Sequence, residues 1–330
     1  MSSANPILRV QDLCVRFDLP RGGVWPWRGE ALQLKAVNHI SFDLYPGEIL
    51  GIVGESGCGK STLARAILGM LQNVQGKVVW QGEDMLGLSP SQLRKRRQKL
   101  QMVFQDPIAS LSPRMTVGEI IAEPLKTHYP EMSSAEREAK VVSIMETVGL
   151  HANQVNRYPH EFSGGQCQRV GIARALVLEP DLIICDEPVS ALDVSIQAQI
   201  VNLLKKLQRE LGLSLIFIAH DLNLVKYISD RVMVLYLGHV MEVANSRDLY
   251  REPLHPYSKA LISAVPIPDP ELERGKDVLL LEGDLPSPIN PPLGCPFVTR
   301  CPMATQVCEE TKPELREVAD GQRRVACHHA

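Results

Sequence analysis

The sequence predicts an α/β fold with four parts. These are a phosphate-loop core on a mostly parallel sheet, an antiparallel β subdomain near the N-terminus, a helical insert and a loop-rich C-terminal extension. Three observations carry this prediction. Gly54-Glu-Ser-Gly-Cys-Gly-Lys60-Ser61 lies between a strand-like run, Glu48–Val53, and a helical pattern from Thr62 to Leu71. Strand, glycine-rich turn and helix in that order build a phosphate-binding loop. Further on, an apolar run (Leu182–Cys185), an amphipathic helix to about Leu211 and a second apolar run (Ser214–Ala219) form the alternation of parallel strands with helical crossovers. The stretch between, from 108 to about 162, carries helix-start signals instead.

In chain order, residues 7–53 read as short strands. Leu13, Val15 and Phe17 alternate, as do Ile40, Phe42 and Leu44, the pattern of half-buried strands. Pro20-Arg-Gly-Gly-Val-Trp25-Pro-Trp27 reads as an exposed hairpin tip whose tryptophans form a local aromatic cap. Arg94-Lys-Arg-Arg97 lies in a polar helical segment and reads as a solvated face. Thr116-Val-Gly-Glu119 and Ser133-Ser-Ala-Glu136 both have capping-box spacing ahead of a helical pattern. Phe162-Ser-Gly-Gly-Gln166 opens a helix of about a dozen residues. Prolines become dense after about Leu254, and the tail from Pro266 is loop-rich. The expected division is a nucleotide-binding unit over 1–254, with its helical insert at about 108–165, and an extension over 255–330.

Composition narrows the classes. The chain has 330 residues and a net charge of −3, so overall charge makes no case for nucleic acid or an anionic membrane. A hydrophobic content of 45% with 22% charged residues is ordinary for a soluble protein. No apolar run is long enough to span a bilayer, and Met1-Ser-Ser-Ala-Asn-Pro6 lacks the pattern of a secretory signal. A cytosolic location is expected, with the eight cysteines as thiols or metal ligands rather than disulfides.

The chemistry starts at the loop. Gly54, Gly57 and Gly59 let the backbone N–H groups of Glu55, Ser56, Cys58 and their neighbours close around a phosphate, since no Cβ stands in the way. Lys60 reaches the β/γ-phosphates, Ser61 offers a hydroxyl to Mg²⁺, and Thr62 continues into the helix. Leu182–Cys185 ends in Asp186-Glu187. Asp186, at a strand tip opposite Ser61, is the candidate metal carboxylate. Glu187 points elsewhere and is the candidate base for an attacking water.

Four further segments complete a constellation: Gln105 closing Gln101-Met-Val-Phe-Gln105, the Ser163-Gly-Gly-Gln166 turn, Ser190-Ala-Leu-Asp193, and His220 ending the next strand. In this order they resemble the ATP-binding-cassette family over at least residues 7–245. The resemblance implies that two cassettes meet head to tail with two ATP molecules between them. Ser163, Gly164, Gly165 and Gln166 would then face the γ-phosphate held by the other subunit, with Asp193 nearby. His220 would contact the γ-phosphate, Gln105 would reach Mg²⁺ and the water, and Phe17 would stack on adenine. Phe162 stands where the family usually has Leu, an apolar exchange. Cys58, Cys167 and Cys185 fall inside these motifs. Lys60 and a helix start would lower the Cys58 pKa, but small buried residues are the expected reading for all three.

In the tail, Cys295, Cys301, Cys308 and Cys327 invite a metal, yet their spacing matches neither the common zinc nor the ferredoxin patterns. His328 and His329 could compete as ligands and are expected to be solvated. Leu254-His-Pro-Tyr-Ser-Lys-Ala-Leu261, Glu282-Gly-Asp-Leu-Pro-Ser-Pro-Ile-Asn-Pro-Pro292 and the cysteines together look like the peptide-permease cassettes, and among these the oligopeptide importers. That resemblance implies a [4Fe–4S] cluster on the four cysteines. It also implies an ATPase on the cytoplasmic face of the inner membrane that drives peptide uptake. Its partners would be a paralogous cassette (a heterodimer), two transmembrane permease subunits received by the helical segments from 106 to 127, and an extracytoplasmic peptide-binding protein. The same mechanism would serve dipeptides, murein peptides or nickel. A soluble cassette acting on nucleic acid or ribosomes is the rival from another class. The coiled-coil arms and base-stacking modules such proteins carry are not visible here.

Overall fold

The computed structural model describes residues 5–19, 32–266, 269–276, 279, 281, 283–318 and 323–330; the expected hairpin tip at Pro20–Trp27 lies outside them. The chain begins β1 (Leu8–Asp18), β2 (Gln33–Leu44), β3 (Ile49–Val53), α1 (Lys60–Ile67), β4 (Val74–Trp80), β5 (Glu83–Asp84), α2 (Pro90–Arg97) and β6 (Leu100–Val103). Next come α3 (Val117–His128), α4 (Ser134–Thr147), α5 (Gly164–Leu176), β7 (Leu182–Asp186), α6 (Val194–Leu211) and β8 (Ser214–Ile218). It ends with α7 (Leu222–Ile228), β9 (Arg231–Tyr236), β10 (His239–Asn245), α8 (Ser246–Arg251), α9 (Pro256–Ser263), α10 (Pro270–Arg274), α11 (Gln306–Glu310), β11 (Arg316–Val318) and β12 (Arg323–Val325). These form two compact units, each discontinuous in sequence.

One unit is built from Leu44–Ile49 and Gly87–Ala219. In it β6 and β8 flank β7, all parallel. Every residue of β7 and β8 is buried, as a parallel sheet covered by helices requires. Both expected capping boxes form: Thr116 with Glu119 starts α3, and Ser133 with Glu136 starts α4. In each, the hydroxyl oxygen accepts one orphan N–H while the carboxylate accepts another. Asp193 caps α6 by accepting the Ile196 N–H at 3.0 Å, and Gly212 ends that helix in the left-handed region at φ 66°. Ile200, Val201, Leu204 and Leu207 fall on one face of α6 and are buried. None of the residues of α2 is buried, consistent with a solvated face.

The other unit comprises Pro6–Asp43, Leu50–Leu86 and His220–Ala330. It holds an antiparallel sheet in the order β2-β1-β4-β5. It also holds the run β11-β12-β10-β9-β3, in which only β3 and β9 pair in parallel. Upstream of the alternation expected at Leu13, Val15 and Phe17, β1 carries an irregularity. Leu8 and Val10 are buried, Gln11 and Asp12 are not, and then Leu13 and Val15 are buried. A bulge between Gln11 and Cys14 adds a residue and puts Asp12 at φ 50°, which returns the apolar face to the core. Across the bulge, Gly76 sits at φ 103°, and a Cβ there would lie 2.5 Å from the Asp12 carbonyl oxygen.

All eight cysteines are free thiols. Among the described residues, no helix is long and apolar enough to cross a membrane. Gly76→Ala should cost about 2 kcal/mol, from left-handed strain plus the clash with Asp12. A lowered thermal midpoint in scanning calorimetry would register it.

Candidate active site

The glycines of the Gly54–Ser61 loop divide into two kinds. A Cβ on Gly54 would lie 2.1 Å from the Leu235 carbonyl oxygen, and one on Gly59 would lie 2.1 Å from that of Ala36. At these two positions the backbone is packed against backbone. Gly57, at φ 78°, has nothing within 4 Å of where a Cβ would be, so it faces open space. Gly59 is also the N-cap of α1 and has no side chain to cap it. The first N–H groups of α1, and the positive end of its dipole, are thus left to an anion.

Lys60 is buried, and its Nζ donates to the carbonyl oxygens of Gly54 at 2.8 Å and Glu55 at 3.1 Å. The loop's own carbonyls therefore orient the ammonium. Ser61 and Thr62 are half-buried in the first turn of α1, and Ser56 is exposed. Cys58 is 2% exposed, and burial pushes its thiol up despite the nearby Lys60 charge, so the buried-residue reading holds. Phe17 is half-buried near the end of β1. His220 is exposed and directly precedes Asp221, whose carboxylate accepts the Asn223 and Leu224 N–H groups to start α7.

In the other unit, β7 delivers Asp186 at its buried tip, 2% exposed. An oxygen donor at such a tip suits a hard divalent cation. Glu187 follows at φ 47°, a conformation that side chains rarely adopt. Its N–H donates to the Ile218 carbonyl at 2.9 Å, which helps hold that strained turn. Gln105 Nε2 donates to Glu187 Oε2 at 2.8 Å, so two expected site residues 82 positions apart meet. The Ser190 hydroxyl donates to the Glu187 carbonyl oxygen at 3.2 Å.

The Ser163–Gln166 turn is the start of α5, and it is itself a capping box. Ser163 Oγ accepts the Gln166 N–H, and Gln166 Oε1 accepts the Ser163 N–H. A Cβ on Gly165 would lie 2.4 Å from Ile196 Cγ2, and one on Gly164 would lie 3.3 Å from Leu192 Cδ2. These glycines thus also allow close packing against the start of α6. Asp193, that helix's cap, is held below the usual carboxylate range by hydrogen bonds from Ser195 and the Ile196 N–H. Cys167 is buried, and burial beside Asp186 raises Cys185 to about 12, so both are inert thiols.

In the tail, Cys295 and Cys308 are buried and Cys301 and Cys327 are half-buried. The Cys295 N–H donates to the Cys308 carbonyl at 2.7 Å, an approach that Gly294 permits. Burial raises the Cys295 thiol to about 11, and the charges of Cys308, Cys301 and Cys327 push the same way. Among the described residues, however, no three His, Cys, Asp or Glu side chains are grouped to hold a metal ion. The terminal histidines are not simply solvated. His329 Nε2 is 2.9 Å from Thr305 Oγ1 and 3.5 Å from Cys308 Sγ, and His328 Nε2 is 2.9 Å from the Thr311 carbonyl oxygen.

Two residues that sequence reasoning missed also reach the loop. Arg300 pairs with the Glu55 carboxylate, and the Tyr257 hydroxyl accepts the Glu55 N–H. Tyr257 lies within the Leu254–Leu261 segment that had signalled the permease group, whereas nothing in local sequence singles out Arg300.

Comparison with known proteins matches residues 37–190 to the ABC transporter family, and residues 241–308 to the oligopeptide/dipeptide transporter C-terminal region. The oligopeptide transport ATP-binding protein OppF of Salmonella typhimurium is 62% identical over 309 residues, covering 94% of this chain and 92% of that protein. OppF of Haemophilus influenzae is 64% identical, covering 89% of this chain and 88% of its own length. A putative oligopeptide transport ATP-binding protein of Bacillus subtilis, YkfD, is 54% identical, covering 98% and 95%. Among solved structures, a dimeric ATP-binding cassette in a post-hydrolysis state with ADP and Pi superposes with a TM-score of 0.63 at 30% identity, covering 73% of this chain and 99% of that one.

Because Cys58 is buried and its pKa raised, it should resist N-ethylmaleimide at mildly alkaline pH in the native protein and react once the chain is unfolded. Peptide mass spectrometry of the two states checks this.

Proposed function

We propose, from the premise that this chain belongs to the ABC transporter family, that it is the ATP-hydrolysing subunit of an importer that takes up oligopeptides. The observation that carries the hydrolytic reading is Glu187, set at a strained turn beyond the buried Asp186 and hydrogen-bonded by Gln105. Glu187 takes the proton of the attacking water. Gln105 orients that carboxylate and, by its contact, reports on the neighbouring membrane subunits. Lys60 and the N–H groups from Ser56 to Thr62 bind the phosphates, the Glu55 N–H being taken by Tyr257, and His220 touches the γ-phosphate. Asp186, Ser61 and Gln105 offer the oxygen donors that would hold Mg²⁺, which when bound neutralises phosphate charge.

Ser163, Gly164, Gly165, Gln166 and Asp193 serve the nucleotide of a second cassette, with Phe17 against adenine. The dimeric cassette similar to this chain supports a paired arrangement. We take the partner to be a paralogue. Two membrane permeases and an extracytoplasmic binding protein complete an assembly at the cytoplasmic face of the inner membrane, with no role for nucleic acid. We take residues 1–254 as the nucleotide-binding part and 255–330 as the extension, and the C-terminal-region match at 241–308 overlaps both. Glu187→Gln should keep Mg-ATP binding and lower turnover at least a hundredfold, the scale of a general base. Turnover near wild type in the assembled importer would disqualify Glu187 as the base.

For the tail, the proposal of a metal centre rests on the four cysteines of the C-terminal region and its family match. A [4Fe–4S] cluster on Cys295, Cys301, Cys308 and Cys327 would need these thiols gathered more tightly than they are in this structure. Anaerobically purified protein should be brown, with about four iron per chain. Colourless protein carrying zinc or no metal would remove the cluster from this reading.

A further inference from the structure

The extension reaches back to the phosphate loop at Glu55. Arg300 Nη1 donates to both carboxylate oxygens of Glu55, at 3.1 and 2.9 Å. The pair is shielded, with side-chain exposures of 11% for Arg300 and 27% for Glu55. The Glu55 backbone N–H donates to the Tyr257 hydroxyl at 3.0 Å. The second residue of the loop is therefore gripped at both its side chain and its main chain, by groups 245 and 202 positions away.

The gripping groups are themselves immobilised. Tyr257 is fully buried, its ring 4.7 Å from that of Tyr236 and 5.3 Å from that of Phe297. Phe297 meets Tyr236 edge-on at 5.3 Å. His255 is buried and kept neutral by that burial, and its Nδ1 accepts the Tyr257 N–H at 3.0 Å, fixing the start of α9. Burial works to lower the Arg300 pKa, yet the hydrogen bonds and charge of the Glu55 carboxylate raise it overall. Arg300 closes a short helical turn, Val298–Arg300, between Cys295 and Cys301.

A carboxylate one residue into a loop that receives a triphosphate would repel it if left unpaired and free to swing. Held against Arg300, that charge is compensated and the loop's first turn is pinned. We propose that Arg300 and Tyr257 are positioning residues of the phosphate loop, through which the C-terminal extension holds the loop in its nucleotide-receiving form. The proposal rests on the reading of Gly54–Ser61 as an ATP site and adds residues outside every motif assigned to that site.

The test is equilibrium binding of Mg-ATP to the full-length chain. Arg300→Ala should weaken binding about tenfold, the scale of a shielded charge-assisted pair. Arg300→Lys, which keeps the charge, should recover part of the loss. Adding Glu55→Gln to Arg300→Ala should weaken binding no further, because both changes act on one carboxylate. Amide exchange should quicken at Ser56–Gly59 and stay unchanged in β6, β7 and β8. Wild-type affinity in Arg300→Ala, losses that multiply in the double variant, or exchange that rises throughout the chain would each overturn the proposal. Should Arg300→Ala fail to fold, Glu55→Gln alone carries the test, since unchanged affinity there overturns it as well. A wild-type chain that binds no Mg-ATP would overturn the phosphate-loop reading, and this proposal with it.

Discussion

Close approach of backbone to backbone governs the phosphate loop, and the loop governs what the chain can do. At Gly54 and Gly59 the space for a Cβ is already taken by carbonyl oxygens of Leu235 and Ala36. Those contacts press the loop into a form in which successive N–H groups can converge on one anion. Gly54, Gly57 and Gly59 take positive φ without the steric cost any other residue would meet there, and the buried β3 and the buried face of α1 fix the two ends of the loop. A small substitution at either packed glycine would act on shape before it acted on chemistry.

The same helix-start chemistry serves both fold and site. Ser163 and Gln166 satisfy each other's N–H groups and so define where α5 begins, while Gly164 and Gly165 lie against the first turn of α6. Asp193 caps α6. Residues assigned to a shared nucleotide pocket are therefore also what terminates and orients two packed helices. Polar caps leave the remaining N–H groups and the dipole pointing outward, which is what an anion needs. A site of this kind costs the fold little, since every helix must solve the same problem at its N-terminus.

Sequence patterns of short range were readable, and contacts of long range were not. The capping boxes at Thr116 and Ser133, the buried strands ending at Asp186 and Ile218, and the helix from Val194 to Leu211 all follow from spacing rules that act within a few residues. The bulge at Asp12 escaped because an inserted residue looks like a simple break in alternation until the partner strand is known. The contact between Gln105 and Glu187, and the hydrogen bonds that hold His328 and His329, depend on chain segments brought together only by folding. Cysteine spacing could signal four thiols near one another, but it could not say how tightly they group, which depends on backbone contacts such as that of Cys295 with Cys308.

The place of Glu55 in the loop explains why an added segment would take hold there. In the proposed site a phosphate is received by main-chain N–H groups, by Lys60 and by a hydroxyl, which leaves the Glu55 side chain outside the binding set. A surplus carboxylate is free to be a handle, whereas a grip on Lys60 or Ser61 would compete with the nucleotide. The solved cassette with ADP and Pi covers 73% of this chain and nearly all of its own length, so a cassette fold is complete without the remainder. Control added to a complete fold must attach where it perturbs geometry without occupying the site. Arg300 and Tyr257 meet that condition: one binds a side chain that the phosphates do not use, and the other takes an N–H at the loop's outer turn. Anything that shifts the short turn between Cys295 and Cys301 would then be felt first as a change in how the loop receives its anion, before any change in the groups that perform hydrolysis.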